Sequence, residues 1–285
     1  MNFVRRYPRE LTVSFLLVLN ICVWLLVWQR EPNHILSVYF LDVGQGDAIL
    51  VETPERRHLL LDGGPNRAVL SELGKILPFA DKTIDVMIES HPDKDHIGGL
   101  PEVVGRYEVG LFLEPGVESD NTIDDELKSR LKAKSIPDLL ARRGMVINFG
   151  DGAKLTILFP NQDVSHWETN AASIVAKLEY GTKSFLLTGD SLIKTENILL
   201  KLDPKILDSD VLKAGHHGSR TSTSLTYAQA VSPEYAIISA GENNTYGHPH
   251  QEVLNILEQV KARILSTAER GTIKFETDGK TLKLK

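Results

Sequence analysis

Leu11 to Trp28 is an apolar run of 18 residues whose one strongly polar member is Asn20. A hydrocarbon layer about 30 Å thick is crossed by about 20 helical residues. The run therefore predicts a membrane helix, with Trp24 and Trp28 at an interface. Arg5, Arg6 and Arg9 precede it, and Arg30 follows beside Glu31. That bias puts the N-terminus in the cytoplasm and residues 31–285 outside, in a single-pass arrangement. A cleaved signal segment and a buried core helix are the alternatives. No small-x-small cleavage site follows Trp28, and the run has no polar stripe. The expected organisation is a stub and anchor over 1–30 and one domain over 31–285.

Beyond Pro32 the pattern changes to short β-rich runs. Leu36–Val43, Ala48–Glu52 and His58–Leu61 predict a meander, cut by Gly44-Gln45-Gly46-Asp47 and Pro54-Glu55-Arg56. Helical spacing follows over Ala68–Leu77, a strand over Ile84–Glu89, and a helix over Gly99–Arg106. Residues 114–145 are charged and helix-prone, with Leu127, Leu131, Leu139 and Leu140 as a loose apolar face. The second half repeats the style. Strands are predicted over Leu155–Phe159, Ser173–Leu178, Ser184–Thr188, Val211–Lys213 and Tyr235–Ser239, and helices over Glu196–Leu202 and Glu252–Val260. Asp278-Gly279 between Thr272–Thr277 and Thr281–Leu284 predicts a closing hairpin. Two sheets packed face to face, with helices outside, bury such a pattern.

Composition narrows the chemistry. The net charge is −6, and residues 1–30 hold four arginines and one glutamate, leaving 28 basic against 37 acidic residues in the remainder, −9. An acidic domain is a poor nonspecific binder of nucleic acid unless bound cations reverse the sign locally. The one cysteine, Cys22, lies in the apolar run, so the rest of the chain has neither a disulfide nor a thiolate metal site.

The densest chemistry is His91-Pro92-Asp93-Lys94-Asp95-His96-Ile97-Gly98-Gly99, delivered by the apolar run Ile84–Ile88. Four potential ligands within six residues, imidazole and carboxylate together, suit divalent transition metals. Chance produces this pattern in about one chain in a thousand of this length. Two further runs follow strands: Thr188-Gly189-Asp190 and Lys213-Ala214-Gly215-His216-His217-Gly218-Ser219. Tyr246-Gly247-His248-Pro249 adds a histidine in a Gly/Pro loop. Asp42, Asp47 and Asp62 are read as turn residues or supporting hydrogen-bond partners.

His91-x-Asp93-x-Asp95-His96 resembles the His-x-His-x-Asp-His signature of metallo-β-lactamase-fold hydrolases, with Asp93 replacing the second histidine. More narrowly, the chain resembles the metallo-β-lactamase domain of ComEC-type competence proteins. The matching runs are Phe40–Ala48, Ser90–Gly99, His216–Ser219 with Thr221-Ser222, and Gly247–Pro249. The resemblance implies an α+β, four-layer αββα sandwich behind the N-terminal transmembrane helix. It implies two divalent ions, zinc or manganese with magnesium possible. His91, Asp93 and Asp190 would hold one, and Asp95, His96, His216 and the shared Asp190 the other. Asp95 is expected to orient the attacking water, and His217 or His248 to protonate the leaving oxygen. The superfamily's third-motif histidine is replaced at the matching position by Asn170. The implied activity is a phosphodiesterase or nuclease acting on DNA outside the membrane. Hydrolysis of another extracytoplasmic phosphodiester, teichoic acid or a lipid headgroup, is one alternative. A non-catalytic metal-binding domain in a DNA-uptake or envelope complex is the other.

Overall fold

The computed structural model describes residues 8–28, 34–150 and 152–285, the side chains of residues 8, 22 and 25–28 lying outside that description. The chain divides into two units, 1–34 and 35–285. In the first, α1 (Pro8–Trp28) is a helix of 21 residues. Phe15, Leu16, Leu17, Val18 and Leu19 are all exposed, and five consecutive residues go right round a helix. Among the described residues no helix is long and apolar enough to cross a membrane. The anchor expected over 11–28 falls partly on side chains outside the described ones. The boundary expected at 30/31 falls among residues 29–33, also outside them.

The second unit is built on two sheets. In the first, β1 (Leu36–Phe40), β2 (Ile49–Glu52) and β3 (His58–Leu61) form an antiparallel meander. β4 (Thr83–Ile88), β5 (Glu108–Glu114) and β6 (Asp138–Leu140) extend it in parallel. The second sheet repeats this order. β7 (Val146–Asn148), β8 (Ala153–Phe159), β9 (Val175–Tyr180) and β10 (Lys183–Leu187) run antiparallel. β11 (Val211–Lys213), β12 (Tyr235–Ile238) and β13 (Arg263–Ser266) then run parallel. The chain returns to the first sheet with β14 (Ile273–Thr277), antiparallel beside β1, and β15 (Leu282–Leu284) closes the hairpin expected around Asp278-Gly279.

Three apolar layers hold the sandwich together. Phe40, Val51, Ile88 and Phe275 of the first sheet meet Leu155, Phe185, Leu187 and Ile237 of the second. The outer face of the first sheet is covered by α2 (Ala68–Ile76), α4 (Leu100–Arg106) and α5 (Thr122–Ala133) through Leu73, Val103 and Leu127. A one-turn helix, α3 (Lys94–Ile97), precedes α4. The second sheet is covered by α6 (Ile193–Leu202), α7 (Leu225–Val231) and α8 (Gln251–Gln259) through Leu199, Val231 and Leu257. The four layers are those of the expected αββα sandwich.

One expectation needs correcting. Leu139 and Leu140 do not extend the apolar face of α5; they lie in the edge strand β6, about half exposed. Pro137 explains the break, because its ring excludes helical continuation. Leu127 and Leu131, before it, are buried on α5.

Candidate metal centre

Ligand sites in open α/β sheets form beyond the carboxyl ends of parallel strands. Both sheets supply such ends here. β3 delivers Asp62, β4 delivers Ser90 and His91, β10 delivers Asp190, β11 delivers His216 and His217, and β12 delivers Ser239.

The loop 91–96 is fixed from two sides. Gly46 has φ +133°, and a Cβ there would lie 2.1 Å from the Asp95 carbonyl oxygen. Only glycine lets the loop between β1 and β2 approach so closely. The Asp47 N–H then donates to that carbonyl at 3.2 Å. Gly189, φ +50°, packs against Ser90 in the same way, with a would-be Cβ 2.8 Å from the Ser90 side chain.

Asp62 orients two imidazoles. Fully buried, it accepts from the Ser90 N–H at 2.7 Å, the Ser90 hydroxyl at 2.6 Å and His96 Nδ1 at 2.8 Å. The Ser90 hydroxyl, having given its proton to Asp62, accepts from His91 Nδ1 at 3.0 Å. Both rings therefore donate from Nδ1, so the nitrogen that each bares as neutral imidazole is the inward Nε2. His91 Nε2 and His96 Nε2 are buried without a hydrogen-bond partner, as is Asp190 Oδ1. His217 is fixed likewise: Nδ1 donates to the Ser239 carbonyl at 2.8 Å. Its Nε2 lies 3.1 Å from Asp95 Oδ2 and 3.3 Å from Asp190 Oδ2. His96 Nε2 is also 3.3 Å from Asp190 Oδ2. Imidazole nitrogens converging on a carboxylate oxygen make a group that could hold a divalent cation.

The electrostatics agree. Burial disfavours charge on His96 and His217, yet Asp190, with Asp62 beside His96 and with Asp47 and Asp95 beside His217, outweighs it and raises both well above the ordinary imidazole value. Burial also opposes ionisation of Asp95 and Asp190, and the same two imidazoles overcome it, holding both carboxyls below the ordinary carboxylate range. Asp93 is lowered against its burial by His91 and by the Thr169 hydroxyl. The carboxylates of Asp47, Asp62, Asp93, Asp95 and Asp190 thus outnumber the fixed cation Lys213, and a divalent cation can take the place of the protons on the two imidazoles.

The residues singled out from sequence occupy distinct places. Asp47, His96, Asp190 and His217 form a buried group whose potential ligand atoms all lie within 4.8 Å of one another. His96 and Asp190 are expected ligands, whereas His217 was expected to carry a proton and Asp47 to be a turn residue or a supporting hydrogen-bond partner. His91 packs against His96, ring centroids 4.1 Å apart and tilted by 52°, and its Nε2 is 3.6 Å from Asp93 Oδ2. His216 lies at the mouth, about a quarter exposed, with Nε2 3.9 Å from Asp190 Oδ2 and Nδ1 3.0 Å from the Thr221 hydroxyl. His216 and His217 both have positive φ, 47° and 54°. Two successive left-handed residues other than glycine cost about 1–2 kcal/mol each. That backbone turns one ring inward and leaves its neighbour at the rim.

Asp93, Asp95, Asp190, His216, His217 and His248 line a cavity of about 130 Å³. His248 also borders a cavity of about 540 Å³ beside Ile238, Leu254, Glu242 and Glu269. Burial, then the neighbouring His216, His217 and His250, lower its pKa to about 4. Sequence reasoning missed Lys213. It is fully buried and ion-paired with Asp47, 3.3 Å from the Gly189 carbonyl and 3.8 Å from Asp190 Oδ1. A lysine closing an apolar strand directly before the histidine pair was the available signal. Ser222 and Thr221, beside His216, spend their hydroxyls internally, on the Gly215 carbonyl and on Ser219 Oγ.

The fold is that of one superfamily, and a sequence model of the metallo-beta-lactamase superfamily matches residues 41–242. The chain belongs to that superfamily, whose fold is generally that of metal-dependent hydrolases. It is 32% identical over 281 residues to ComE operon protein 3 of Bacillus subtilis, a match covering 93% of this chain and 35% of that protein. It is 31% identical over 248 residues to competence protein ComA of Neisseria gonorrhoeae, covering 87% and 33%. The chain thus spans about a third of the length of these relatives. Among solved structures, the metallo-beta-lactamase fold protein YhfI of Bacillus subtilis superposes with a TM-score of 0.58 at 13% identity, covering 85% of this chain and 100% of that one. That likeness concerns the fold alone.

Proposed function

We propose that this chain is a metal-dependent phosphodiesterase that cleaves DNA outside the cytoplasm. The observation that carries the reading is the convergence of His96 and His217 Nε2 on the Asp190 carboxylate, with the unpartnered His91 Nε2 beside Asp93, under a small cavity open to solvent. The DNA substrate is supported by the relatives, one of which is named a competence protein.

Bound divalent ions supply Lewis-acid activation of water and neutralise charge on a phosphoryl group. The chain's own residues do the rest. His91 and Asp93 form one side of the site, and His96, Asp95 and His217 the other, with Asp190 between them. His217 replaces His216 as the inner ligand, because Ser239 fixes its Nδ1 and leaves Nε2 facing two carboxylates. His216 stays at the rim as a further ligand. Asp95, on the cavity wall, orients the attacking water by accepting its hydrogen bond. His248 lines the cavity without touching Asp190 and is neutral at pH 7. It accepts a proton from water or positions the leaving oxygen, and cations held beside it would keep it neutral. Carboxylate-rich coordination favours manganese or magnesium, and the three imidazoles favour zinc or manganese, so manganese satisfies both. The acidic surface disfavours nonspecific grip on DNA, so the phosphodiester is engaged through the ions.

A second reading has its own observation. Asn170 stands at the third-motif position, with a buried Oδ1 that has no partner. An amide oxygen is a weak ligand, which favours a single ion in a non-catalytic domain of an uptake or envelope complex. Turnover decides between them. Bis-p-nitrophenyl phosphate and linear single- and double-stranded DNA are offered to metal-stripped protein refilled with manganese, magnesium or zinc. Cleavage of both supports the nuclease, and cleavage of the small ester alone supports another phosphodiester such as teichoic acid or a lipid headgroup. No turnover despite stoichiometric binding supports the non-catalytic domain. Residues 11–28 are proposed as a membrane anchor with the domain on the extracytoplasmic side, supported by the exposed apolar side chains all round α1. Protease added outside cells with a permeable outer layer digests the domain under this topology; full protection refutes it.

A further inference from the structure

Asp47 belongs to the buried group of four potential ligands, yet its carboxylate stands behind the imidazoles and not in front of them. Its oxygens lie 3.9 Å from His96 Nδ1 and 3.5 Å from His217 Nδ1. Those nitrogens already donate elsewhere, to Asp62 and to the Ser239 carbonyl. The nitrogens free to bind a cation are the Nε2 atoms on the opposite edges of the same rings, and they face Asp190 Oδ2. On its own far side Asp47 meets the Lys213 ammonium in an ion pair in which neither side chain is exposed. Lys213 reaches the Gly189 carbonyl at 3.3 Å and lies 3.8 Å from Asp190 Oδ1, the carboxylate oxygen turned away from the imidazoles. A buried ammonium without a partner is strongly unfavourable, and it repels a nearby divalent cation.

From this geometry we infer that Asp47 is not a metal ligand but the fixed counter-charge of Lys213, and that the pair positions Asp190 so that Oδ2 alone serves the metal. The inference rests on the reading of the site as a divalent-metal centre. Asp47 cancels the ammonium that would otherwise weaken binding. The Lys213 charge, 3.8 Å from Oδ1, attracts that oxygen and keeps Asp190 from swinging to chelate one ion through both oxygens. Both are positioning residues.

The test is a charge-cancellation cycle on the full 285-residue chain. Manganese and zinc are titrated into metal-stripped wild type, Asp47→Asn, Lys213→Met and the double variant. Stoichiometry and Kd are read by calorimetry, and folding by far-UV circular dichroism. Stoichiometry is expected to be the same in all four. Asp47→Asn strands the ammonium and weakens binding at least ~30-fold. Lys213→Met leaves an uncompensated carboxylate and tightens binding about tenfold. The double variant returns to within about threefold of wild type, because neutral groups of similar size replace a buried pair with little loss of fold. A double variant as weak as Asp47→Asn, or short of one ion, makes Asp47 a ligand and overturns the inference while leaving the metal centre standing. Unchanged Kd in both single variants, with only a lower melting temperature, makes the pair purely structural and also overturns it. If Asp47→Asn does not fold, Lys213→Met and the double variant still decide, since unchanged or weakened binding in Lys213→Met contradicts the inference. Wild-type protein that binds neither metal overturns the metal reading and this inference together.

Discussion

Asp62 touches no metal position, yet replacing it by asparagine should disarm the centre. The carboxylate accepts three hydrogen bonds, from the Ser90 N–H at 2.7 Å, the Ser90 hydroxyl at 2.6 Å and His96 Nδ1 at 2.8 Å. An amide offers one acceptor oxygen and one donor group in the same space. If the oxygen keeps Ser90, the NH₂ faces His96 Nδ1, and two donors cannot share one contact. His96 then moves its proton to Nε2, the atom that faces Asp190 at 3.3 Å. The Ser90 hydroxyl is freed in turn, and the tautomer of His91, set through it at 3.0 Å, is no longer fixed. Hydrogen bonds to a charged acceptor contribute about 1.5–3 kcal/mol each. The variant should therefore lose about 2–4 kcal/mol in urea unfolding of the metal-free protein, one to two such bonds. Loss of a partner that orients a metal-binding histidine costs about 10–100-fold in affinity. Manganese titration of Asp62→Asn should show a Kd raised by that factor. A Kd within twofold of wild type would refute the argument that Asp62 sets the tautomer of His96.

Other expectations follow from the same contacts. Gly46→Ala places a methyl 2.1 Å from the Asp95 carbonyl oxygen at φ +133°. It should destabilise by about 1–3 kcal/mol and lower metal affinity as the 91–96 loop is pushed back, measured by urea unfolding and by titration. Phe275 fills the space between the sheets against Phe40, Phe185 and Tyr235, at centroid distances of 6.3, 6.1 and 5.1 Å. Phe275→Ala should cost about 3–5 kcal/mol in the same unfolding assay while leaving metal stoichiometry unchanged. His248 has its pKa lowered from 6.5 to about 4. The unfolded chain therefore binds the proton first, and the stability held above pH 6.5 is lost as pH falls toward 4. Metal-free His248→Gln should show a shallower fall in melting temperature across that window than wild type.

Much of the fold was legible because its strands are short and sharply bounded. β3 and β11 fall on the residues expected of them, fenced by Arg56-Arg57 and Asp62-Gly63 in one case and by Asp210 and Ala214-Gly215 in the other. β5 was missed because Glu108, Gly110 and Glu114 break its alternation, although it lies inside the parallel half of the first sheet. The run 91–96 could be singled out because its potential ligands are contiguous. Which of His216 and His217 turns inward could not, since adjacent identical side chains are separated only by the left-handed backbone that aims them. The Asp47–Lys213 pair was hidden for a different reason. One member sits in the loop between β1 and β2 and the other ends β11 of the second sheet, more than 160 positions later, and Gly46 lets that loop close on Asp95.

The central claim is that Asp190 gathers divalent metal for phosphodiester cleavage. The most direct measurement compares wild type with Asp190→Asn, each stripped of metal and refilled with manganese, on linear DNA, with bound metal counted in the same samples. The account predicts cleavage by wild type only with metal, and a loss of both bound metal and cleavage in Asp190→Asn, with circular dichroism unchanged. Cleavage that survives in Asp190→Asn, or that proceeds in wild type with no metal bound, would contradict it.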